Sequence, residues 1–170
     1  FSLIEEVWGE RVEAFTRYAI KREGDVFDRE KLRNFAEKLP EGYTIRRIDG
    51  ELYDMAMKNE WSWDACIQFE GKEDYLNRGL GFAVVHEGEL VAQASSYCIY
   101  GEGLDITIST HKDHRQKGLA KACVSTLILA CLERGWYPNW DARTLISVAL
   151  AEQLGYHMDR PYRTYCLRVK

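Results

Sequence analysis

The sequence predicts an α+β domain in which antiparallel strands lead into a central strand, loop and helix, and three observations predict it. Residues 104–135, LDITISTHKDHRQKGLAKACVSTLILACLERG, open with Leu104, Ile106 and Ile108 alternating with Asp105, Thr107 and Ser109, the period-two pattern of a strand with two unlike faces. The same stretch closes with Leu119, Cys123, Leu127 and Cys131 at four-residue steps and few polar positions between them, the pattern of a largely buried helix. Upstream, residues 81–86 and 90–100 are rich in Val, Ala, aromatic and Ser residues and are separated by Glu87-Gly88-Glu89, which reads as a β-hairpin.

Length and composition bound the rest. A chain of 170 residues fits one domain that can bury most of its apolar surface. Its apolar fraction of 46% and charged fraction of 29% are those of an ordinary globular protein. No apolar run approaches the roughly 18 residues of a membrane span, and no signal-peptide pattern opens the chain, which begins at Phe1. Cys66, Cys98, Cys123, Cys131 and Cys166 form an odd set with no C-x-x-C, so reduced core thiols and a cytoplasmic setting are expected. The net charge of −4 argues against general nucleic-acid binding and is compatible with attracting a cationic amine.

The elements follow in order. In residues 1–41, Trp8, Val12, Phe15 and Ala19 fall at helical spacing, as do Leu32, Phe35, Ala36 and Leu39 after a capping Asp28, so an N-terminal helical segment is expected there. Pro40-Glu41-Gly42 punctuates the chain, and residues 42–170 form the main domain. Residues 43–49 should be its first strand, and Leu52, Met55 and Ala56 begin a short helix. The hairpin continues through Gly101-Glu102-Gly103 into the central strand. Gly135 and Pro138 stop the helix that follows. Residues 137–140 make a short strand, residues 144–154 a helix capped from Asp141, and residues 163–169 a final strand.

Between the central strand and its helix, Lys112, Arg115, Lys117 and Lys121 cluster against the single acid Asp113 in an otherwise acidic chain. The first turn of a helix leaves backbone N–H groups without partners, the helix dipole adds positive potential, and Gly118 lets a ligand approach without a Cβ in the way. Together these point to a polyanionic ligand carrying phosphates. Neither Gly-x-x-x-x-Gly-Lys-Ser/Thr nor Gly-x-Gly-x-x-Gly occurs. What occurs is Arg115-Gln116-Lys117-Gly118-Leu119-Ala120, an Arg-x-x-Gly-x-Ala motif, followed downstream by Leu154-Gly155-Tyr156 at the end of the next helix.

The motif resembles the pyrophosphate loop of the GNAT superfamily of acetyl-CoA-dependent N-acyltransferases, and the downstream helix resembles the family's fourth helix, as in a bacterial GNAT-like subgroup. The resemblance covers roughly residues 42 to 169 in element order. It implies a central mixed, mostly antiparallel sheet of six or seven strands flanked by helices and splayed between the family's fourth and fifth strands, here residues 104–110 and 137–140. It implies acetyl-CoA as acyl donor, a primary amine of a small molecule or peptide as acceptor, and a homodimer as a common assembly, while the acidic balance and the lack of a span-length apolar run leave no nucleic-acid or membrane partner expected. Backbone N–H groups of Gln116, Lys117, Gly118, Leu119 and Ala120, with Arg115, would hold the pyrophosphate. The edge at Ile108, Ser109 and Thr110 would pair with the pantetheine arm, and Thr144 and Ser147 would add to that site from the fourth helix.

For the base that deprotonates the amine, the resemblance favours Asp105 on the fourth strand, with Glu102 and Asp141 as alternatives. Trp61 and Trp63 fall in the region that lines the acceptor side in the family. Many members place Asn at the position of Thr144 here and, at Ala151, a Tyr that protonates the departing thiolate. Tyr156 and Tyr165 are the possible replacements, and a noncatalytic acyl-CoA-binding or regulatory module is the alternative reading. His111 and His114 lack a third ligand at a recognisable spacing, so no metal site is expected.

Overall fold

The computed structural model describes residues 2–167. A short helix α1 (Ser2–Trp8) and a 3-10 turn lead into strand β1 (Val12–Ile20), then helix α2 (Arg29–Ala36), strand β2 (Tyr43–Arg47), helix α3 (Gly50–Met57), a 3-10 turn at Trp63–Ala65 and helix α4 (Lys72–Arg78). Strands β3 (Gly81–His86), β4 (Glu89–Tyr100) and β5 (Gly103–Thr110) follow, then helix α5 (Leu119–Glu133), strands β6 (Tyr137–Asn139) and β7 (Asp141–Ala142), helix α6 (Leu145–Gln153) and strand β8 (Met158–Leu167). Among the described residues no helix is long and apolar enough to cross a membrane.

One sheet has the order β2-β3-β4-β5-β6, antiparallel throughout except for the parallel pair β5–β6. A second sheet has the order β7-β1-β8. Side chains alternate across the first sheet, so Val84 joins a core with α2 and α5 while Ala83 joins a core with α3 and α4. The first core includes Leu104, Leu119, Leu127, Ile128, Leu154 and Tyr156, each at most 1% exposed. This is the mixed, mostly antiparallel sheet flanked by helices that the sequence predicts.

Residues 12–20 correct the helical expectation. Val12, Phe15 and Ala19 keep a helical spacing, but the segment VEAFTRYAI is rich in β-branched and aromatic residues and finds a partner at the opposite end of the chain, pairing with β8 from Val12↔Leu167 to Ile20↔Met158. A non-local ladder overrode the local period. The final strand begins earlier than expected, at Met158, and Arg168 and Val169 lie outside the described residues.

Local signals for α2 hold. The Asp28 carboxylate accepts the N–H groups of Glu30 and Lys31, both at 3.0 Å, and Leu32 buries against α5. Asp28→Ala is therefore expected to destabilise the protein by about 1 kcal/mol, read as a lower urea midpoint with an unchanged slope. For α6 the cap is Thr144 instead of the expected Asp141, because Asp141 is held in β7 and the Thr144 hydroxyl accepts from the Ser147 N–H at 3.2 Å.

The feature that positions the site is where β5 and β6 part. Their parallel register is Gly103↔Tyr137, Leu104↔Pro138 and Asp105↔Asn139. Beyond it the chain crosses to β1, pairing Ala19↔Asp141 and Tyr18↔Ala142. Ile106 to Thr110 continue β5, laddered to β4 on one edge and left open on the other. Trp140, 4% exposed, fills the apex, its Nε1–H donating to the Ser147 hydroxyl at 3.1 Å.

Candidate functional site

A cavity of about 560 Å³ occupies this wedge. Asp105, Ile106, Thr107 and Ile108 of β5 form one wall, Arg17 and Asp141 of the second sheet face them, and Trp140 and Ser147 close the apex. Asp64 and Tyr97 border it from the side of the Trp63–Ala65 turn. A depression of about 510 Å³ beside Arg46, Asp49 and Tyr75 is more open to solvent and touches neither β5 nor the basic loop.

The loop that follows β5 has the conformation an anion cradle requires. Gly118 opens α5 at φ +78°, in the left-handed region, and a Cβ built there would meet nothing within 4 Å. Gln116 is also left-handed, at φ +61°. The first helical bond comes from Ala122 N–H to the Gly118 carbonyl, so the N–H groups of Leu119, Ala120 and Lys121 have no helical partner, and those of Gln116, Lys117 and Gly118 bond to no described group. Arg115 folds back so that its Nε–H donates to the Thr110 carbonyl at 3.4 Å, placing its charge beside the end of β5.

Beside the loop lies a packed aromatic group. The Lys117 ammonium donates to the Tyr43 hydroxyl at 2.9 Å, Tyr43 stacks on His86 with ring centres 4.1 Å apart, and the same hydroxyl lies 3.0 Å from His114 Nδ1. Burial, then the neighbouring Lys117 and histidines, pushes the His114 pKa down. His111 meets the edge of Trp61 at 5.5 Å. Among the described residues no three metal-ligating side chains converge. Trp61 thus packs against His111, while Trp63 is exposed, and neither borders the wedge.

Three carboxylates border the wedge, and they differ. Asp105 stands at the last paired position, its Oδ1 accepting from Asn139 Nδ2 at 2.5 Å and its Oδ2 from the Cys98 thiol at 3.0 Å, so it ties the parting strands together. Asp141 is ion-paired with the Arg17 Nε–H and accepts the Tyr162 hydroxyl at 2.7 Å. Asp64 accepts the Thr107 hydroxyl through Oδ2 at 3.1 Å, while its Oδ1 is buried and hydrogen-bonds to no described group. Burial raises the Asp64 pKa above the ordinary carboxylate range and the Thr107 bond offsets part of that rise. Backbone amides of Asp64 and Ala65 favour the charged form further, but weakly, since the Ala65 N–H is directed to the Ser62 carbonyl at 3.1 Å.

The remaining residues named from the sequence separate. Ser109 receives a hydrogen bond from Gln93 at 2.9 Å. Glu102 lies in the turn before β5, exposed, with Arg22 at 3.4 Å and away from the cavity. Ala151 is fully buried in the main core. Tyr156 donates its hydroxyl to the Pro138 carbonyl at 2.6 Å, inside the core, and Tyr165 donates to Glu5 at 3.0 Å on β8, outside the cavity lining. The sequence does not mark Arg17, whose segment has helical spacing, or Asp64, which reaches the wedge through the turn at Trp63–Ala65. No local pattern marks Tyr97 or Asn139, which reach the wedge only through strand pairing.

Comparison with known proteins agrees with this architecture. A model of the GNAT acetyltransferase family matches residues 2–165. The chain is 30% identical over 136 residues to the uncharacterized N-acetyltransferase YdfB of Bacillus subtilis, an alignment that takes in 75% of this chain and 49% of YdfB, so the chain spans about half the length of that curated relative. A crystal structure of a GCN5-related N-acetyltransferase-like protein from Streptococcus suis superposes with a TM-score of 0.94 at 46% identity, covering 98% of this chain and 67% of that one. A putative acetyltransferase of the GNAT family from Novosphingobium aromaticivorans shares the fold at a TM-score of 0.63 and 16% identity, over 91% of this chain and 66% of its own. With its parted strands and glycine-opened helix, and with a family match that takes in almost the whole described chain, this protein belongs to the GNAT acetyltransferase family.

Proposed function

We propose that the chain transfers an acetyl group from acetyl-CoA to a primary amine of a small molecule or peptide by direct attack of the amine. The observation that carries this reading is the adjacency of an open strand edge and an open helix start: β5 leaves Ile106 to Thr110 unpaired on the wedge side, and the loop directly after it presents unpartnered N–H groups around Gly118. Bound acetyl-CoA would supply an acetyl group activated as a thioester. The N–H groups of residues 116–120 suit its pyrophosphate, with the Arg115 charge adjoining. The open edge at Ile108, Ser109 and Thr110 suits the amides of a pantetheine arm, and Ser147 borders the same cavity from the first turn of α6, which Thr144 caps. Ala151 offers no hydroxyl to a leaving thiolate, but a thiol of pKa about 8.5 departs without an acid far more easily than an alcohol would.

Calorimetric titration of the protein with acetyl-CoA should show saturable one-to-one binding, and its absence would defeat the proposal. The fully buried Ala151 favours one other reading, a noncatalytic acyl-CoA-binding module. That reading expects CoA binding with no release of CoA thiol above background across polyamines, amino sugars, amino-acid amides and peptides, and turnover of any of these removes it.

A further inference from the structure

We propose that Asp64 receives the proton of the acceptor's primary ammonium, so that the acceptor enters the wedge on the side of the Trp63–Ala65 turn. This rests on the acetyl transfer proposed above. A primary ammonium has a pKa of about 10.4 and cannot attack a carbonyl carbon until it has lost a proton. Of the carboxylates that border the cavity, Asp141 is neutralised by Arg17 and also bonded by Tyr162, and both oxygens of Asp105 are taken by Asn139 and Cys98. Asp64 differs from both: its one side-chain hydrogen bond comes from the neutral Thr107 hydroxyl, and no cation pairs with it among the described residues.

The two oxygens of Asp64 divide the work. Oδ1 is buried and bonded by no described group, and burial of the carboxylate disfavours the charged form and strengthens the base. The proposal assigns the proton to Oδ2, which the hydroxyl of Thr107, a residue that lines the same cavity, holds at 3.1 Å. A hydroxyl donates or accepts, so Thr107 can turn its hydrogen and keep the contact whether or not Oδ2 is protonated. The turn beneath is fixed by Ser62, whose buried hydroxyl donates to the Ala56 carbonyl at 2.8 Å, and by the Cys66 N–H, which donates to the Trp63 carbonyl at 3.1 Å. In the step itself one ammonium proton passes to Asp64 Oδ2, and the freed nitrogen lone pair forms the C–N bond to the acetyl carbon. The C–S bond breaks with its electron pair on sulfur, and the nitrogen's second proton goes to that thiolate. Asp64 then returns its proton to solvent, so one ammonium and one thioester give one amide, one thiol and one proton.

The base works when deprotonated, so the rate should rise with pH through the raised Asp64 pKa. The other titratable groups on elements packed against the turn are Glu51, Tyr53 and Asp54 on α3, Glu89, Tyr97, Cys98 and Tyr100 on β4, and Asp105 on β5, with Cys66 at the end of the turn and the Arg17–Asp141 pair and Arg143 also lining the cavity. Burial pushes Tyr53, Cys98 and Tyr100 up and Cys66 up to about 12, so these stay protonated over the range in question.

The test uses protein carrying 13C-carboxyl aspartate and saturated with CoA, with the Asp64 signal assigned by Asp64→Asn. The Asp64 signal should titrate above the ordinary value of about 3.9. Adding n-propylammonium should move it and lower its midpoint, whereas n-propanol should not. In transfer from acetyl-CoA to n-propylamine, Asp64→Asn should lower kcat about 100-fold or more and remove the rising limb of the pH profile, with acetyl-CoA affinity held within about twofold. The loss should be smaller for aniline, which is already uncharged at neutral pH. A shift of Asp105 by n-propylammonium with Asp64 unmoved overturns the proposal, as does an Asp64→Asn protein that keeps the wild-type rate and profile. Failure of the wild-type protein to bind CoA at all would instead strike the donor reading.

Discussion

Gly118→Trp should lower acetyl-CoA affinity at least about 100-fold while leaving most of the fold intact. The glycine sits at φ +78°, and the space where its Cβ would stand is empty to 4 Å, so a side chain there projects outward over the start of α5 and not into the core. Left-handed backbone costs a non-glycine residue about 1–2 kcal/mol, which a domain of this size survives. A 100-fold loss of affinity corresponds to about 2.8 kcal/mol, and because the left-handed strain is carried by free and bound protein alike it falls on stability, leaving the affinity loss to the indole occupying the place of the diphosphate. Gly118→Ala separates the two effects: it carries the strain with only one added carbon, so its affinity should fall by less. Arg115→Glu tests the charge and should weaken binding without moving the melting temperature much, since among the described residues its side chain makes one hydrogen bond, the long one to the Thr110 carbonyl. Calorimetry with thermal melts on the same samples reads all three, and a folded Gly118→Trp protein that binds like wild type would remove the loop from the donor site.

How much of this was legible in the sequence follows from how local each determinant is. The Arg-x-x-Gly-x-Ala motif, the Asp28 cap and the β3–β4 hairpin depend on residues within a few positions of one another, and the structure has the helix starts, the strands and the glycine conformation they imply. The wedge was legible only through family resemblance, because it depends on where residues 137–142 find partners: three pair with β5 and two pair with β1. β1 was missed for the same reason, since its partner lies more than 130 residues away in β8. That omission concealed Arg17, and with it the reason Asp141 is not a free carboxylate. Asp105 was legible as a strand acid facing the right way, but its two hydrogen bonds come from β4 and β6, which no alternation pattern reports.

Tyr156→Ala should destabilise the protein by about 3–5 kcal/mol, the cost of emptying a core aromatic site, and lower Tm by about 2–4 °C for each kcal/mol. The ring is 1% exposed, packs edge-on against Phe27 at 4.9 Å and Trp140 at 5.4 Å, and its hydroxyl donates to the Pro138 carbonyl at 2.6 Å. Pro138 is the middle residue of the short β5–β6 pairing and Trp140 fills the apex, so this one side chain props the point where the strands part. Gly155 makes the placement possible: at φ +109° it passes the Val26 carbonyl, which a Cβ would meet at 2.5 Å. The Leu-Gly-aromatic ending of α6 is thus a packing device in this chain. Tyr156→Phe distinguishes that role from the thiolate acid considered from the sequence. A hydroxyl bonded into the core should, when removed, leave the Pro138 carbonyl short of its donor and cost about 1–3 kcal/mol, with transfer slowed by less than about tenfold. A hydroxyl that protonates the leaving thiolate would give the reverse, near-wild-type stability with transfer slowed at least about 100-fold, and urea unfolding beside single-turnover rates on the same variant tells the two apart.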